Sequence, residues 1–385
     1  IGNVQENNAG HQEQVDIIQS SRSSGSILKP LLAAWMMQEG MLIPQSLISD
    51  VPTNINGYQP ENFTEQYDGL ISVEKAIAKS LNIPFVRMLQ QYGVEKFYHK
   101  LKKVGISSLN FPASHYGLTL VLGGAEVNLA DVCQAYAGIA RSLRYFVERN
   151  SRYAPGDFEV PLLFEEKKNF SDQQLQDNPP VIAAAPSWFA LQAMQQLERP
   201  NDLGYWQRFS SAQQIAWKTG TSFGFKDAWA IGLNRDYVIG VWAGNADGEG
   251  RPGLTGIKAA APVLFELFDL LPVGNWFDTP WDDMRQLDIC STSGYRAGKD
   301  CPSERQWVPQ NATQLAKCLF HQTVFLSTDE QYRLHLGCAS AEEMHAGVIF
   351  EIPPLESYYY RTKNPQYRPA PPFRPDCLES GQTGT

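Results

Sequence analysis

The chain has no apolar run long enough to cross a membrane as a helix, which takes about 20 consecutive apolar residues. It has no basic block, and its formal net charge is -9. A nucleic-acid surface needs clustered Lys and Arg, so nucleic acid is excluded as a partner. There is no Cys-x-x-Cys pair, and the six histidines are scattered. That spacing argues against zinc, and no metal or cofactor is expected. Cysteine is scarce before the last part of the chain, where Cys290, Cys301, Cys318, Cys338 and Cys377 crowd together and leave Cys133 far upstream. Crowded cysteines read as disulfides formed outside the cytoplasm, with reduced buried thiols as the alternative. Pairing near neighbours predicts Cys290–Cys301 and Cys318–Cys338, with Cys377 free or paired outside the residues of this chain. The first residues, Ile1-Gly2-Asn3-Val4, are not a signal peptide. They read as a strand entered midway, so a longer protein with any membrane anchor upstream is expected.

What is present suffices for a sizeable core: 385 residues, 43% hydrophobic. Patterning predicts a mixed α/β (α+β) fold. Apolar-faced segments predict helices over Ser72–Leu81, Val86–Tyr92, Val94–Lys103, Leu129–Arg144, Ala185–Leu197 and Ala259–Leu271. Pro44 to Gly69 reads as a long ordered loop, and residues 145–180 as a hairpin insert or loop. Ile215–Thr221, Ala228–Leu233 and Tyr237–Trp242 read as an antiparallel meander with short turns. Beyond residue 273 the composition shifts to Pro, Tyr and Cys. Two units are therefore expected, 1–273 and a C-terminal extension 274–385, ending in a tail-like Ser380 to Thr385.

One stretch carries chemistry, Gly25-Ser26-Ile27-Leu28-Lys29-Pro30, followed by Leu31 to Met37. A helix apolar on every side is a buried helix. Ser26 and Lys29 are three apart, so they share a helix face and the amine can reach the hydroxyl. This suits a serine nucleophile with a lysine base. Ser72-Val73-Glu74-Lys75 repeats the spacing, but there the serine reads as the N-cap of a polar-faced helix.

Two further patterns follow in order, Ser80-Leu81-Asn82 and Lys218-Thr219-Gly220-Thr221. Ser108-Leu109-Asn110 copies the first, and reads as a turn. Acyl transfer gives each residue a task. Lys29 serves as base only when neutral, and burial beside a second cation, Lys218, favours the neutral amine. Ser80 relays a proton to the leaving amine, and Asn82 holds a peptide. Thr219 and Thr221, beside Lys218, bind a carboxylate. Gly220 removes a side chain where another backbone approaches, and the N–H groups of Ser26 and Thr221 form an oxyanion hole. Strand alternation sends Lys218 and Thr219 to opposite faces. Both serve one site only along the edge of a strand, where a peptide can add as a further strand.

The set Ser-x-x-Lys, Ser-x-Asn and Lys-Thr-Gly, in this order, is shared by penicillin-binding proteins and class A β-lactamases. With Gly57-Tyr58-Gln59-Pro60-Glu61-Asn62-Phe63, Ser80 to Pro84, Tyr116 to Gly124 and Lys218 to Ser222, residues 1 to about 272 resemble the transpeptidase domain of class A penicillin-binding proteins. Ser222 to Trp229, Tyr358-Tyr359-Tyr360 and Pro372 to Cys377 resemble the 1C subgroup. The resemblance implies a penicillin-binding transpeptidase/serine β-lactamase-like fold, with an antiparallel sheet beside a helical subdomain. It implies a bacterial D-Ala-D-Ala transpeptidase that cross-links peptidoglycan stem peptides and is captured by β-lactams. Its place would be the periplasmic face of the inner membrane, with membrane contact only through an upstream anchor and a glycosyltransferase domain upstream. The same motifs leave open a D,D-carboxypeptidase, a β-lactamase, a penicillin sensor and a degenerate scaffold. Glu126, the nearest acidic candidate for a deacylating base, falls one residue short of the Glu-x-x-Asn spacing of those hydrolases. It reads instead as capping or preceding the next helix, so a slowly hydrolysed adduct on Ser26 is expected.

Overall fold

In the computed structural model, residues 16–159, 172–179, 181–197 and 213–379 are described. Ile1 to Val4, part of the 145–180 segment and Ser380 to Thr385 lie outside them. After the short strand β1 (Arg22–Ser23) comes α1 (Lys29–Gln38), in which Lys29 to Met37 are all buried. Apolar side chains on every face leave it stable only when surrounded. Pro30 lies in the first turn, where a missing N–H is tolerated.

The stretch read as one long loop contains a strand. β2 (Leu47–Asp50) pairs antiparallel with β3 (Gly69–Ser72), so the chain between them is the connection of a hairpin. Next come α2 (Val73–Ala78), α3 (Ile83–Tyr92), α4 (Val94–Lys103) and α5 (Ala113–Tyr116). α2 is shorter than expected, because Ser80 adopts φ +55° and turns the chain out of the helix. α3 begins earlier than expected, since Pro84 fits within the first turn. β4 (Glu126–Val127) pairs back on β1, with Ser23 opposite Glu126. α6 (Leu129–Glu148) then runs four residues past the expected end at Arg144, into the presumed insert. α7 (Ala184–Gln195) follows.

The meander is β5 (Ala216–Thr221), β6 (Asp227–Leu233) and β7 (Val238–Gly244), in the order β5-β6-β7. Among the described residues β5 pairs only with β6, so its other edge is unpaired. Trp217, Leu264 and Phe268 lie in one apolar cluster, as α8 (Ala261–Asp269) covers one face of the sheet. Ala216, Trp229 and Ile231 join the larger cluster around α1 on the other face.

The extension opens with a hairpin of β8 (Met284–Cys290) and β9 (Ser303–Pro309), Cys290 opposite Ser303. Then come β10 (His321–Ser327), β11 (Arg333–Leu334) and β12 (Met344–Phe350), ordered β11-β10-β12, and the helices α9 (Pro354–Lys363) and α10 (Pro375–Glu379). The disulfide expectation needs correction. Cys338 is bonded to Cys377, with Cα atoms 5.1 Å apart. Cys290, Cys301 and Cys318 are not in disulfides. The Cys318 N–H donates to Arg296 O (2.8 Å), which pins it beside the first hairpin. Arg374 donates to Cys338 O (2.7 Å), which brings the loop after β11 against α10.

Candidate active site

The turn carrying Ser26 is held from several directions. Trp229 Nε1 donates to Ser23 O (2.8 Å), Ser23 Oγ to Gly123 O (2.7 Å), Ser24 N to Ala125 O (3.0 Å), and the buried Tyr136 hydroxyl to Ile27 O (2.7 Å). Two glycines allow β5 to come alongside. A Cβ on Gly25, which sits at φ +51°, would lie 2.6 Å from Thr221 N; one on Gly220 would lie 2.8 Å from Ser24 O and 3.3 Å from Ser26 N. With no side chains between them, the backbone amides of Ser26 and Thr221 line one gap.

Lys29 begins α1 one turn after Ser26, and its N–H reaches Ser26 O (3.3 Å). Its amine, fully buried, donates to Ser80 O (2.8 Å) and Asn82 Oδ1 (2.7 Å). Burial, and then the neighbouring Lys218, hold it well below the ordinary lysine range. A neutral amine has two N–H bonds and one lone pair. Both hydrogens have acceptors here, so the lone pair is left to accept a proton. Lys218 is fully buried too, and burial pulls it down to about 7. It donates to Ser80 Oγ (2.6 Å) and to Thr219 O (2.9 Å). Ser80 Oγ therefore accepts from Lys218 and keeps its own hydrogen to give. The left-handed backbone of Ser80 presents its carbonyl to one lysine and its hydroxyl to the other, a strained state of the kind that clusters at working sites.

Lys29, Ser80, Asn82 and Lys218 are thus joined by hydrogen bonds, and Ser26, Gly220 and Thr221 meet beside them. Thr219 and Thr221 lie across the strand from Lys218 by alternation, both part-exposed. Thr221 Oγ1 accepts from Gly256 N (3.0 Å) and so has a hydrogen left to donate. Ser72 and Lys75 form no second site. Ser72 is buried at the N-cap position of α2, as expected, though its hydroxyl is unpartnered and makes no cap bond, while Lys75 is exposed. Glu126 is exposed, and the N-cap of α6 is Asn128, whose side chain accepts from Asp131 N (2.7 Å).

Sequence reasoning missed Asn62. Its Oδ1 accepts from Asn82 N (2.9 Å) and Ile83 N (3.2 Å), and its Nδ2 donates to Asp50 Oδ1 (2.7 Å) and Gln66 O (2.9 Å). Asn82 Nδ2 donates to Glu61 O (2.7 Å). Asp50 and Asn62 therefore fix Asn82, and Asn82 fixes Lys29. The one signal was that Glu61 and Asn62 lie in the quoted Gly57–Phe63 stretch.

Against known proteins, residues 2–263 match the family "Penicillin binding protein transpeptidase domain". The chain is 35% identical over 271 residues to penicillin-binding protein 1C of Escherichia coli K12, covering 70% of this chain and 32% of that protein. It is 26% identical over 262 residues to penicillin-binding protein 1A of Neisseria lactamica, 64% of this chain and 31% of that one. The chain thus spans about a third of the length of these relatives. Among solved structures, penicillin-binding protein 1A of Haemophilus influenzae aligns with a TM-score of 0.57 at 19% identity, over 78% of this chain and 50% of that one. PonA1 of Mycobacterium tuberculosis, in complex with penicillin V, aligns at 0.52 and 19%, over 73% of this chain and 76% of that one. The likeness to these two structures extends to the fold, and the family match covers most of the chain: this protein belongs to the family of penicillin-binding protein transpeptidase domains.

Proposed function

We propose that residues 1–273 form a serine-type D-alanyl-D-alanine transpeptidase that cross-links peptidoglycan stem peptides through an ester on Ser26, at the periplasmic face of the bacterial inner membrane. β-Lactams would acylate the same serine. The observation that carries this reading is the buried amine of Lys29, one turn from Ser26, with both hydrogens of its neutral form taken by Ser80 O and Asn82 Oδ1.

In the first half-reaction Ser26 Oγ attacks the carbonyl of the D-Ala–D-Ala bond and Lys29 takes its proton. The oxyanion rests between the N–H groups of Ser26 and Thr221. The C–N bond breaks, and the departing amine takes a proton from Ser80 Oγ, which Lys218 replaces. In the second half an acceptor amine attacks the ester and gives a proton back through Ser80 to Lys218. The C–O bond breaks, and Lys29 returns its proton to Ser26. Thr219, Thr221 and Lys218 hold the terminal carboxylate of the donor, and the open edge of β5 accepts its backbone.

Intact mass spectrometry after incubation with benzylpenicillin tests this. One adduct is expected, mapped to Ser26, absent in Ser26→Ala and kept in Ser72→Ala. Labelling that persists in Ser26→Ala would overturn the reading. A donor stem peptide offered with an acceptor amine should give the cross-linked amide; hydrolysis alone would indicate a carboxypeptidase.

A further inference from the structure

The extension brings together three thiols and an imidazole that the acyl-transfer site does not use. Cys290 ends β8, Cys301 lies just before β9, and Cys318 and His321 flank the start of β10. His321 Nδ1 lies 3.4 Å from Cys290 Sγ and 3.5 Å from Cys318 Sγ. The four donor atoms, Cys301 Sγ included, all fall within 4.8 Å of one another. We propose that Cys290, Cys301, Cys318 and His321 form a closed, tetrahedral structural zinc site.

Geometry is the first reason. Zn–S bonds of about 2.3 Å and Zn–N bonds of about 2.0–2.1 Å place tetrahedral donors about 3.5–3.8 Å apart. The two sulfur–nitrogen separations already have that length, and the remaining ones need at most a contraction of about 1 Å. Arithmetic is the second. Cys338 and Cys377 are bonded to each other. Cys133 sits in α6 against β7, where a Cβ on Gly240 would meet its sulfur at 2.4 Å. Three thiols remain, and three cannot all pair. Any disulfide among them leaves one thiol over beside His321, whereas one metal ion satisfies all three. The surroundings are the third reason. Gly298 N–H donates to Cys301 Sγ (3.3 Å), and the N–H groups of Thr292 and Ser293 and the Ser293 hydroxyl bond to Cys290 Sγ. Such outer hydrogen bonds orient ligating sulfurs. Asp300 is near enough to act electrostatically on the His321 ring.

Three thiolates and one imidazole form a soft donor set that suits zinc and not magnesium or calcium. Binding releases the thiol protons and leaves a complex of net charge -1 with no open position. The site is structural, because it clamps the β8–β9 hairpin to the first strand of the next sheet. The apolar cluster there is small: Ile43, Ile289, Val308, Ala312 and Leu315. Segments with so little core are those that use metal staples. Sequence spacing failed to show the site because the ligands come from three separate segments, with only Cys318 and His321 close in the chain. His335, Cys338 and Cys377 also cluster, but their two sulfurs are bonded to each other.

The test uses the full chain, purified without chelator and dialysed against zinc. Elemental analysis should find about one zinc per chain. Denaturation with chelator should then release the zinc and expose four reactive thiols, those of Cys133, Cys290, Cys301 and Cys318. Cys301→Ser and His321→Ala should lose most of the zinc, while Ser26→Ala keeps it. Should those variants fail to fold, cobalt loading of the unaltered chain decides: a thiolate-to-cobalt charge-transfer band is expected. Two thiols with a mapped disulfide among Cys290, Cys301 and Cys318, less than about a tenth of an equivalent of zinc, or no such band would overturn the proposal. None of these outcomes bears on acylation of Ser26.

Discussion

Burial shapes the titration of both lysines, and Lys218 adds to it at Lys29. In the proposed mechanism Lys29 works as a base only when neutral, and burial with Lys218 beside it pushes its amine far down. Lys218 there works only when charged, and burial holds it at about 7. The rate of acylation by benzylpenicillin should therefore be bell-shaped in pH. It rises as Lys29 loses its proton and falls as Lys218 loses its own near pH 7, which stopped-flow or timed mass spectra can follow. Stability should move in the same sense as in acid denaturation, falling as the pH falls. Between about pH 7 and 10 the unfolded chain binds a proton at Lys218 that the folded chain does not, so stability rises with pH across that window. Thermal midpoints at pH 7 and 9 check this, and Lys218→Met should reduce the rise, leaving the part that the buried Lys29 contributes, while abolishing acylation. Asn62→Ala should remove the acceptor of Asn82 N and Ile83 N and leave Asp50 without its buried partner. A loss of about 1–3 kcal/mol in denaturant unfolding is expected, with slower acylation because Asn82 no longer fixes Lys29. Ser26 and Lys29 were legible because a one-turn spacing ahead of an all-apolar helix states both the contact and the burial. Asn62 was not, because its contact with Asn82 is made across a loop that has no period. The pair Ser72 and Lys75 has the same spacing as Ser26 and Lys29. Exposure of Lys75 separates the two, and four residues of pattern do not encode exposure.

At the scale of elements, β5 and the turn before α1 form the site by touching. Gly220 permits it, since a Cβ there would press to 2.8 Å from Ser24 O and 2.9 Å from Ile27 Cγ2. Neither neighbour is free to yield: the turn is tied to Gly123, Ala125, Tyr136 and Trp229. Gly220→Ala should push β5 outward and carry Thr221 N away from Ser26 N. Loss of one oxyanion donor typically lowers a rate by about 10²–10³-fold, so acylation should fall by that order with the fold retained by circular dichroism. An unchanged rate would show that the Thr221 amide is not a donor. The three strands of the meander were readable because alternating apolar runs end at short polar turns. β2 was not, since Leu47 to Asp50 is four residues long and lies in a stretch rich in Pro, Asn and Gly. The early start of α3 was missed for the opposite reason. Pro84 reads as a stop, yet proline is well placed in a first turn. The disulfide pairing failed because proximity in sequence is a poor guide where short strands fold across one another.

At the scale of the whole molecule, the change in composition near residue 274 is not expected to be a break in stability. Hydrogen bonds from the extension reach the elements that support the site. Leu47 N donates to Ser293 O (2.9 Å), Ser46 Oγ to Gly294 O (2.9 Å) and the Tyr295 hydroxyl to Leu47 O (3.1 Å), all at β2. Asn311 Nδ2 donates to Gln38 O (2.8 Å) at the end of α1, and Ser49 Oγ to Glu356 Oε1 (2.7 Å). Ala185 N, in the first turn of α7, donates to Asp283 Oδ2 (2.7 Å). β2 ends at Asp50, the residue that holds Asn62 and through it Asn82 and Lys29. Removal of residues 274–385 would expose one side of β2, uncap α1 and α7, and loosen that chain of contacts at its far end. The truncated chain is expected to unfold several degrees lower, by the handful of hydrogen bonds it loses at about 1 kcal/mol each. Its acylation should slow while Ser26 remains the labelled residue. Reduction of Cys338–Cys377 is a milder change. It opens a loop of 39 residues, for which chain entropy gives about 4 kcal/mol, but it lies between the loop after β11 and α10, away from β2. Reduction should free α10 without altering the acylation rate. Melting curves and benzylpenicillin labelling on the full chain, the reduced chain and the 1–273 fragment separate these effects. A fragment as stable and as fast as the full chain would show that the extension rests on the transpeptidase unit without supporting it.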